Sequence, residues 1–470
     1  MDIKESTMRK GIVSLLAVST VLAGSFTASA ETLQEALAAA YSSNPQLMAQ
    51  RAALRATDEG VSRAKSGFLP NLSASWDYSD TKRDITPDGG AAIKSPSDQE
   101  GYTLTARQSL FRGFQDANTL RQAKSTVRAG RAQLQSVEQQ VLLQAVTAYM
   151  NVVRDESVVD LRKNNIKVLE RQMQASQDRF RVGEVTRTDV AQSEARLENA
   201  KSSLLSAEAT LASSRAQYRR IVGRTPASLD TPSMKPALPA NLDSAIEIAM
   251  EESPGVKAAR YNEQAARYNI NTAKGALLPS VDAQLSHSNF DSTGINSATL
   301  TTNATNSKAT TFGVRLTVPI YSGGARYSDI RRAKQVRSQR MMEIHQAERV
   351  AQENVFIAWD NYRAAVGQIS STQAAVRANE IALDGVKQEA YVGSRTTLDV
   401  LNAEQELLNS RVQLVLAQRD EFVAAYSLVS ATGKLTAKDL SLGVDVYDEE
   451  KYYNEVGATK LIGLGTKEGE

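Results

Sequence analysis

Two stretches of this chain place hydrogen-bonding and charged side chains in the same order, 210 residues apart. The first runs from Val182 to Val190 and the second from Val392 to Val400. Both carry Gly, Thr, Asp and Val at matching positions, and the second adds Arg395. Carboxylates, hydroxyls and a guanidinium in short turns are suited to ion pairs and charge-assisted hydrogen bonds. We therefore expect the functional contacts of the protein at these two turns.

The same residues also allow a structural interpretation. Asp189 and Asp399 each stand in the first turn of a predicted helix, where Thr and Asp commonly cap the chain and interact favourably with the helix dipole. Gly183 and Gly393 are expected to supply a positive φ at the end of the preceding helix. Arg395 is equally compatible with a solvated loop charge. A cap at the tip of a hairpin can still face a neighbouring surface, so the two interpretations do not exclude each other.

No arrangement for catalysis, cofactor binding or metal binding is found in the sequence. The chain has no cysteine, and its two histidines, His287 and His345, fall in different predicted elements without ligand-spaced partners. It has neither a phosphate-binding loop with lysine nor a Ser, His and Asp ordering. The balance of 55 basic and 53 acidic residues gives no argument for nucleic acid as a partner. We predict that the protein is not an enzyme.

The N-terminus is typical of a Sec-type signal peptide. An Arg-Lys pair precedes an apolar run over 11–24, and small residues end at Ala30, after which cleavage is expected. The run is shorter than the ~20 apolar residues of a spanning helix, so a transmembrane anchor is the weaker alternative. Met1 and Met8 are both compatible with the start. Because no other segment is long and apolar enough to cross a bilayer as a helix, a membrane-embedded form would need β-strands.

The remainder of the chain is two copies of one unit. Leu69-Pro70 aligns with Leu278-Pro279 at an offset of 209 residues, and the offset becomes 210 further along. A repeat this long indicates one architecture built twice. We predict a signal peptide over 1–30, a first repeat over 31–222, a Pro-rich linker over 223–240, a second repeat over 241–433, and a C-terminal equatorial segment and tail over 434–470.

Hydrophobic periodicity predicts the same elements in each repeat. The predicted helices cover 32–66, 114–181 and 188–222 in the first repeat and 241–275, 325–391 and 397–432 in the second. The predicted strands cover 68–80, 102–112, 278–290 and 310–321. Residues 81–101 and 291–309 are rich in Gly, Ser, Thr and Asn and are expected to be long external loops.

The four predicted strands alternate apolar and polar residues over about ten positions, which fits a bilayer crossed at a tilt. An antiparallel sheet with one wet face is the alternative. Four strands leave two open edges that lipid does not tolerate, and the smallest closed membrane barrels use about eight strands. Several chains would therefore have to pool their strands. Aromatic residues suited to interfacial girdles lie near the strand ends at Trp76, Tyr78, Tyr102, Phe111 and Tyr321.

The two longest predicted helices, 114–181 and 325–391, contain no proline and would each extend roughly 100 Å. One face of each carries a stripe of small and apolar residues at spacings of three and four. No globular core can cover such a helix, so we expect side-by-side packing in coiled-coil fashion. The stripes are Leu134, Val137, Val141, Ala145, Ala148 and Val152, and Ile344, Ala347, Ala351, Val355, Ala358 and Tyr362.

In the order and spacing of these motifs, the chain resembles the TolC family of trimeric outer-membrane channel-tunnels over essentially its whole mature length. The duplicated plan, the Leu-Pro entries into the strands and the repeated Val-Gly turns carry the resemblance. It implies an internally duplicated α+β membrane protein in which three chains of four strands form one 12-stranded outer-membrane barrel. A long α-helical barrel would continue it into the periplasm of a Gram-negative bacterium. The implied partners are two further copies, a periplasmic adaptor, an inner-membrane ABC or proton-driven pump, and outer-membrane lipid.

In that family the two turns form the periplasmic gate. The resemblance assigns Thr188 and Asp189 to the constricting bonds and Arg395 to the gate arginine. It assigns Asp399 to a ring of carboxylates around the threefold axis, which in a pore favours cations.

Two positions depart from the family pattern. Asn402 stands where the best-known members have a second aspartate, so the constriction would hold one carboxylate ring instead of two. The strong cation selectivity of the family is therefore in doubt for this chain. Tyr391 matches the gate tyrosine but is one residue closer to Arg395 than the pattern expects.

The C-terminal tail bears on which export system is served. Val446-Tyr447-Asp448, Lys451-Tyr452-Tyr453 and Gly463-Leu464-Gly465 resemble family members that serve type I protein secretion. We therefore expect a passive exit duct for type I secretion, with a multidrug efflux duct as the first alternative. A periplasmic coiled-coil scaffold or adaptor is the second, and it leaves the four alternating strands without a role.

Overall fold

The computed structural model describes residues 31–86, 88–90, 92–232, 235–296 and 301–459. The predicted signal peptide over 1–30 and the Gly463-Leu464-Gly465 pattern lie outside these residues. Both halves of the chain have the same order of elements. The helices are α1 (Leu33–Ser43), α2 (Pro45–Lys65), α3 (Gln115–Arg181), α4 (Arg187–Val222), α5 (Leu242–Glu252), α6 (Pro254–Gly275), α7 (Ala325–Tyr391), α8 (Thr397–Ala431) and α9 (Lys451–Thr459). The strands are β1 (Asn71–Ile85), β2 (Ile93–Arg112), β3 (Ser280–Asn296) and β4 (Thr301–Thr317).

The first helix of each repeat is divided by a proline, which corrects the single helices predicted over 32–66 and 241–275. The Asn44 side chain caps α2 by accepting a hydrogen bond from the N–H of Gln46. Pro45 occupies the first position of α2, where its missing N–H has no helical partner to lose. Because proline disfavours helical backbone in the preceding residue, the chain bends at this point. Pro254 begins α6 in the same way.

The longest elements are α3 and α7, with 67 residues each. At ~1.5 Å per residue, each extends about 100 Å. α4 returns along α3 and α8 returns along α7, so each repeat ends in a long helical hairpin. α6 packs against both α3 and α7 and joins the two repeats. None of the helices that the structure describes is both long enough and apolar enough to span a membrane.

The four strands form one antiparallel sheet in the order β1-β2-β3-β4. Alternate residues point to opposite faces, so one face is apolar and the other polar. The register sets Trp76 opposite Tyr102 near the upper border of the apolar face. From Leu72 to Tyr78 the apolar band covers about 20 Å of strand, close to the ~25 Å band of outer-membrane strands. Exposed apolar residues on this face are Leu72, Trp76, Tyr78, Tyr102, Leu104, Leu285, Phe312, Val314 and Leu316.

The strands extend further from the helices than the sequence predicts. Ile85 pairs with Ile93, and Asn296 pairs with Thr301, so the ladders continue through much of 81–101 and 291–309. The prediction of long external loops over those two ranges was wrong. Beyond Tyr78 the outward residues of β1 are Asp80, Lys82 and Asp84, so both faces are polar and the alternation that identified the strand disappears. Backbone hydrogen bonding does not require that alternation.

At the helix-proximal end, prolines set the limits of the strands. β1 begins after Pro70 and β3 begins after Pro279, so both start later than the predicted 68–80 and 278–290. β4 ends at Thr317, ahead of Pro319 and short of the predicted limit of 321. Proline cannot donate to a ladder, which explains why pairing stops at these positions.

A buried polar network lies inside the main apolar core, where α1 and α4 meet the middle of α3. The Tyr149 hydroxyl lies within hydrogen-bond distance of two carbonyl oxygens, that of Glu31 at 2.7 Å and that of Asp230 at 2.6 Å, which share its one proton. The Tyr218 hydroxyl donates at 2.5 Å to the Glu31 carboxylate, which also accepts from Arg224 at 2.6 Å. Burial raises the pKa of both tyrosines, so their hydroxyls remain protonated donors. The network ties the start of the first repeat to the linker.

Residues 445–455, here called the C-terminal clasp, dock on α2 and α3. The Tyr452 hydroxyl donates to Glu59 at 2.7 Å, and Arg131 of α3 donates to Glu450 at 2.7 Å. Asp58 of α2 is buried beneath the clasp. It is 2% exposed, and neither of its carboxyl oxygens has a hydrogen-bond partner among the described residues. Burial raises the pKa of Asp58 to about 6, against an opposing effect of Arg131.

Docking of the C-terminal clasp should weaken as the pH rises. The folded Asp58 carboxyl has a pKa of about 6 against 3.8 unfolded, so its contribution is fully favourable below pH 3.8 and is lost as the pH passes 6. The docking free energy lost between these two pH values amounts to up to about 3 kcal/mol. Hydrogen exchange of residues 445–455, corrected for intrinsic rates, should therefore be less protected at neutral pH than at acidic pH.

Two variants distinguish the effect of the Asp58 carboxyl from that of the neighbouring charge on Glu59. Asp58→Asn should protect residues 445–455 at neutral pH and remove most of the pH dependence. Glu59→Gln removes a neighbouring charge but keeps an acceptor for Tyr452, so the pH dependence should persist. Exchange in the wild type that does not change with pH would contradict the role of Asp58.

Candidate functional site at the helical tips

The two repeated motifs lie side by side where the helical hairpins reverse direction. Both turns line one cleft of about 480 Å³. The first turn contributes Glu184 and Asp189 to its wall, and the second contributes Tyr391 and Arg395. The tip is separated from the sheet by the full length of α3 and α7. The fold therefore brings two distant parts of the sequence to one site.

Gly183 and Gly393 allow the chain to leave the long helices. Their φ values are 79° and 78°, in the left-handed region that glycine tolerates best. A Cβ at either position would meet no atom within 4 Å, so backbone conformation and not space requires glycine. The N–H of Gly183 donates to the carbonyl of Phe180 at 3.0 Å, and that of Glu184 donates to Arg179 at 2.9 Å. These bonds satisfy carbonyls at the end of α3.

Asp189 and Asp399 complete capping boxes with Thr186 and Thr396, the N-cap residues of the two return helices. Asp189 Oδ2 accepts from the N–H of Thr186 at 2.9 Å and from its hydroxyl at 2.7 Å. Asp399 Oδ2 accepts from the N–H of Thr396 at 3.0 Å and from its hydroxyl at 2.8 Å. These hydrogen bonds hold the pKa of both carboxyls below its usual range. Both aspartates are therefore negatively charged at neutral pH as well as being caps.

Arg395 pairs with a residue that the sequence analysis missed. Its Nε donates to Glu389 Oε2 at 2.8 Å, and this contact raises the pKa of the guanidinium. The first turn has the reverse arrangement, because Arg179 on α3 lies 3.9 Å from Glu184 in the turn. Glu389 aligns with Arg179 at the offset of 210. The inverted charge at these aligned positions was the signal in the sequence that could have identified Glu389.

Asn402 joins the two hairpins. Its side-chain oxygen accepts a hydrogen bond from Arg196 of α4 at 2.7 Å. The residues adjacent to this pair, Leu197 and Leu401, pack against Leu169. Each of these three leucines is at most 6% exposed. We call the three leucines, Arg196 and Asn402 the tip seam. No local pattern identifies Arg196, because its partner lies 206 residues away in the other repeat.

Two of the predicted gate residues, Thr188 and Tyr391, are exposed on the surface of their own chain. Thr188 is exposed in the first turn of α4, and Tyr391 is 84% exposed at the end of α7. Neither side chain forms a hydrogen bond within the part of the chain that the structure describes. Asp189, Arg395 and Tyr391 share the cleft, but within the described part of the chain no hydrogen bond joins one of these three side chains to another.

The chemistry available at the tip is attraction between fixed charges and hydrogen bonding. Among the described residues, no group of three or more His, Asp and Glu side chains has the geometry to hold a metal ion. Arg179, Glu184 and Arg395 are exposed and Asp189 is partly buried, so other chains can reach the charged groups of the cleft. The arrangement is suited to reversible contacts that open and close.

Comparisons with known proteins identify relatives along the whole chain. The family model described as outer membrane efflux protein matches residues 33–224 and again 245–434. The outer membrane efflux protein BepC of Brucella suis biovar 1 is 36% identical over 98% of this chain and 99% of its own length. The proteases secretion protein PrtF of Dickeya chrysanthemi is 24% identical over 98% of this chain and 100% of its own.

The fold also has close counterparts among solved structures. The structure of CusC, solved in a study of folding and transmembrane channel formation, superposes with a TM-score of 0.74. The match covers 85% of this chain and 92% of CusC at 19% sequence identity. At this identity the similarity concerns the fold.

Proposed function

This chain belongs to the outer membrane efflux protein family, and we propose that it is the exit duct of a type I protein secretion system. Membership confirms the resemblance to the TolC channels and the predicted α+β membrane fold. The protein is an outer-membrane channel through which substrates leave the cell, and it is not an enzyme. The cargo, the assembly and the gate are the parts of the proposal developed below.

Three copies form the duct. β1 and β4 are the edges of the sheet, and an open edge in lipid leaves backbone groups without hydrogen bonds. Pairing β4 of one copy with β1 of the next closes a barrel of 3 × 4 = 12 strands, which is above the minimum of about eight. A neighbouring copy would also bury apolar residues exposed on α7, namely Val336, Met341, Met342, Val350, Phe356, Ile357 and Ile381.

The observation that best supports a duct is the separation of two unlike ends. The sheet carries the apolar band, and the charged tips lie about 100 Å away along α3 and α7. A helical tunnel of this length extends deep into the periplasm. A periplasmic adaptor and an inner-membrane pump engage the tip there and supply the energy, because the channel itself is not an enzyme.

Contacts between copies close the tip. Within the described part of a single chain, Thr188 and Tyr391 lack hydrogen-bond partners, so their constricting bonds would come from a neighbouring copy. Three Asp399 carboxylates, ionised at neutral pH, form one ring around the axis. Asn402 is bonded to Arg196 of its own chain and adds no second ring.

Two observations bear on the cargo. PrtF, which matches along its full length, is named for the secretion of proteases. The motif residues Tyr447 and Tyr452 are held in the C-terminal clasp, where the Tyr447 N–H donates to the Tyr41 hydroxyl at 3.0 Å. These support type I secretion. The higher identity to BepC, which is named for efflux, supports a multidrug efflux duct as the alternative.

Deletion of the gene separates the two cargo classes. Type I secretion carries proteins from the cytoplasm to the medium in one step, so deletion should remove specific proteins from the medium and leave them in the cytoplasm. Drug tolerance should stay close to that of the parent strain. Increased drug sensitivity with an unchanged set of secreted proteins would favour efflux. A soluble monomer in the periplasm would contradict the duct itself.

Replacing Arg395 by serine and Asp189 by alanine should raise the single-channel conductance severalfold in planar bilayers. The first change releases the contact with Glu389, and the second removes the acceptor that caps α4. Arg187→Ser is a matched control, because Arg187 is an exposed cation on the same tip. Conductance of the double variant equal to that of the wild type would remove both residues from the gate.

A further inference from the structure

The polar face of the sheet has an uneven distribution of charge. Near the helices, the register sets Arg107 beside Gln284 and Asp282 beside Arg315, with all four side chains on the face opposite the apolar band. This face lines the lumen of the barrel proposed above. We propose that Arg107 and Arg315 form a binding site in the lumen for acidic segments of the exported cargo. The inference rests on the proposed function, which supplies the closed barrel.

The two arginines are not neutralised by the acidic residue between them. Asp282 accepts a hydrogen bond from the Ser109 hydroxyl at 2.7 Å and lies 3.4 Å from Arg107. Arg315 has no ion-pair partner among the described residues, although it stands directly across from Asp282. Each chain thus contributes two cations and one anion at this level. A trimer would contribute 3 × 2 = 6 cations and 3 × 1 = 3 anions.

Neither the rest of the sheet nor the neighbouring copy supplies a balancing charge at this level. On the helix-proximal side, Arg112 faces the lumen beside Ser280 but is paired with Asp116 of α3 at 3.1 Å. On the other side, the nearest lumen-facing charge on the described strands is Asp77, six residues beyond Asn71 on β1, or about 20 Å along the strand. In the closed barrel, β1 of the adjacent copy lies beside β4. Its lumen-facing residues at the base are Asn71 and Ser73, which are uncharged. The positive excess therefore persists in the assembly.

The shape of the site favours an extended, multiply charged ligand. Arg107 and Arg315 line one groove of about 380 Å³, and Gly313 leaves a gap in the wall between them. Arg107 lies on β2 and Arg315 lies on β4, two strand spacings away and two residues further along, so their backbones are about 12 Å apart. Successive carboxylates along an extended peptide can contact both guanidinium groups at once, which favours a multiply charged segment over a single small anion. Guanidinium groups bind carboxylates through paired hydrogen bonds, and the low-dielectric walls of a barrel lined by one excess charge strengthen the attraction.

Current block in planar bilayers tests the site. A hexaglutamate peptide added on the extracellular side should reduce the wild-type current. Arg315→Gln should raise the half-blocking concentration about tenfold, at the lower end of the effect of charge focusing on local ligand concentration. Arg107→Gln should act in the same direction. Asp282→Asn should lower the half-blocking concentration, because it removes the anion that competes for Arg107.

Two controls test whether the block depends on a positive charge at position 315 and on the face of the strand that carries it. Arg315→Lys keeps a cation and should retain most of the block. Lys308→Gln removes a cation from the same strand but from the opposite face, and it should have no effect. Equal block in the wild type and Arg315→Gln would overturn the site, as would an equal loss in Lys308→Gln. Failure of the wild type to form any channel would instead count against the proposed duct.

Discussion

Replacing Leu401 by alanine should hold the helical tips open and give single-channel conductances far above that of the wild-type protein. Leu401 is 2% exposed and packs against Leu169 and Leu197 in the tip seam. Truncation of a buried leucine costs about 2–5 kcal/mol. If three copies open together, even the lower value sums to about 6 kcal/mol for the trimer. A difference of ~5.5 kcal/mol is enough to shift the ratio of open to closed channels about ten-thousandfold. In the gate proposed above, the tips open as the hairpins part and the seam separates, so this loss would fall on the closed state.

Leu407→Ala is the matched control for Leu401→Ala. Leu407 lies on the same helix, is 6% exposed, and is not part of the tip seam. Its truncation should lower thermal stability by a comparable amount without changing the conductance. If both variants conduct alike, loosening of α8 in general, and not the seam, controls the gate.

Replacing Tyr218 by alanine should have the largest effect on stability. Tyr218 is completely buried, and truncating a buried aromatic ring costs about 3–5 kcal/mol. The change also deprives the Glu31 carboxylate of its hydrogen bond at 2.5 Å and leaves Arg224 as its remaining side-chain partner. We expect a clear fall in the urea midpoint of the detergent-solubilised protein, measured by tryptophan fluorescence or circular dichroism.

Tyr218→Phe separates the hydroxyl from the ring. It keeps the packing and removes one of the donors to the Glu31 carboxylate, and a hydrogen bond to a charged group contributes about 1.5–3 kcal/mol. Glu247→Ala, at an exposed glutamate of α5, should have almost no effect. An unchanged midpoint in both Tyr218 variants would show that the buried network does not stabilise the protein.

The helices could be predicted in detail because their determinants are local. Two long segments without proline between turn motifs were sufficient to indicate α3 and α7. The predicted stripe is buried at Leu134, Val141 and Ala145 in the first repeat. In the second repeat, Ile344 and Ala347 are only partly buried, because the cleft beside α7 is not filled by its own chain. A stripe indicates a packing face but not whether the same chain covers it.

The strands could be predicted only where one face is apolar. Trp76 and Leu104 alternate with polar residues and identified the inner parts of β1 and β2. The outer parts pair equally well, but Asp80 and Lys82 on the outward side leave no alternation to detect. Backbone pairing between distant segments is the property that the pattern misses.

Only part of the candidate site could be predicted from the sequence. A repeated sequence and the demands of capping identified Gly183, Asp189 and their equivalents. The partner of Arg395 was predicted less well, because Glu389 gains its role from a turn geometry that the sequence does not specify alone. The Arg196 and Asn402 pair depends on how two repeats pack, which no segment of the chain determines by itself.

The opposed ion pairs at the two turns limit the symmetry of the tip. A duplicated chain assembled in threes would arrange six hairpins around the axis and could approach sixfold symmetry. In the ion pair of the first turn, the positive residue, Arg179, lies on the long helix α3. In the ion pair of the second turn, the residue on the long helix α7 is the negative one, Glu389. Adjacent hairpins then alternate in electrostatic polarity, and the true period of the ring is one hairpin pair. A ring-shaped partner that follows these charges has three equivalent orientations on the tip, even if its own subunits number six.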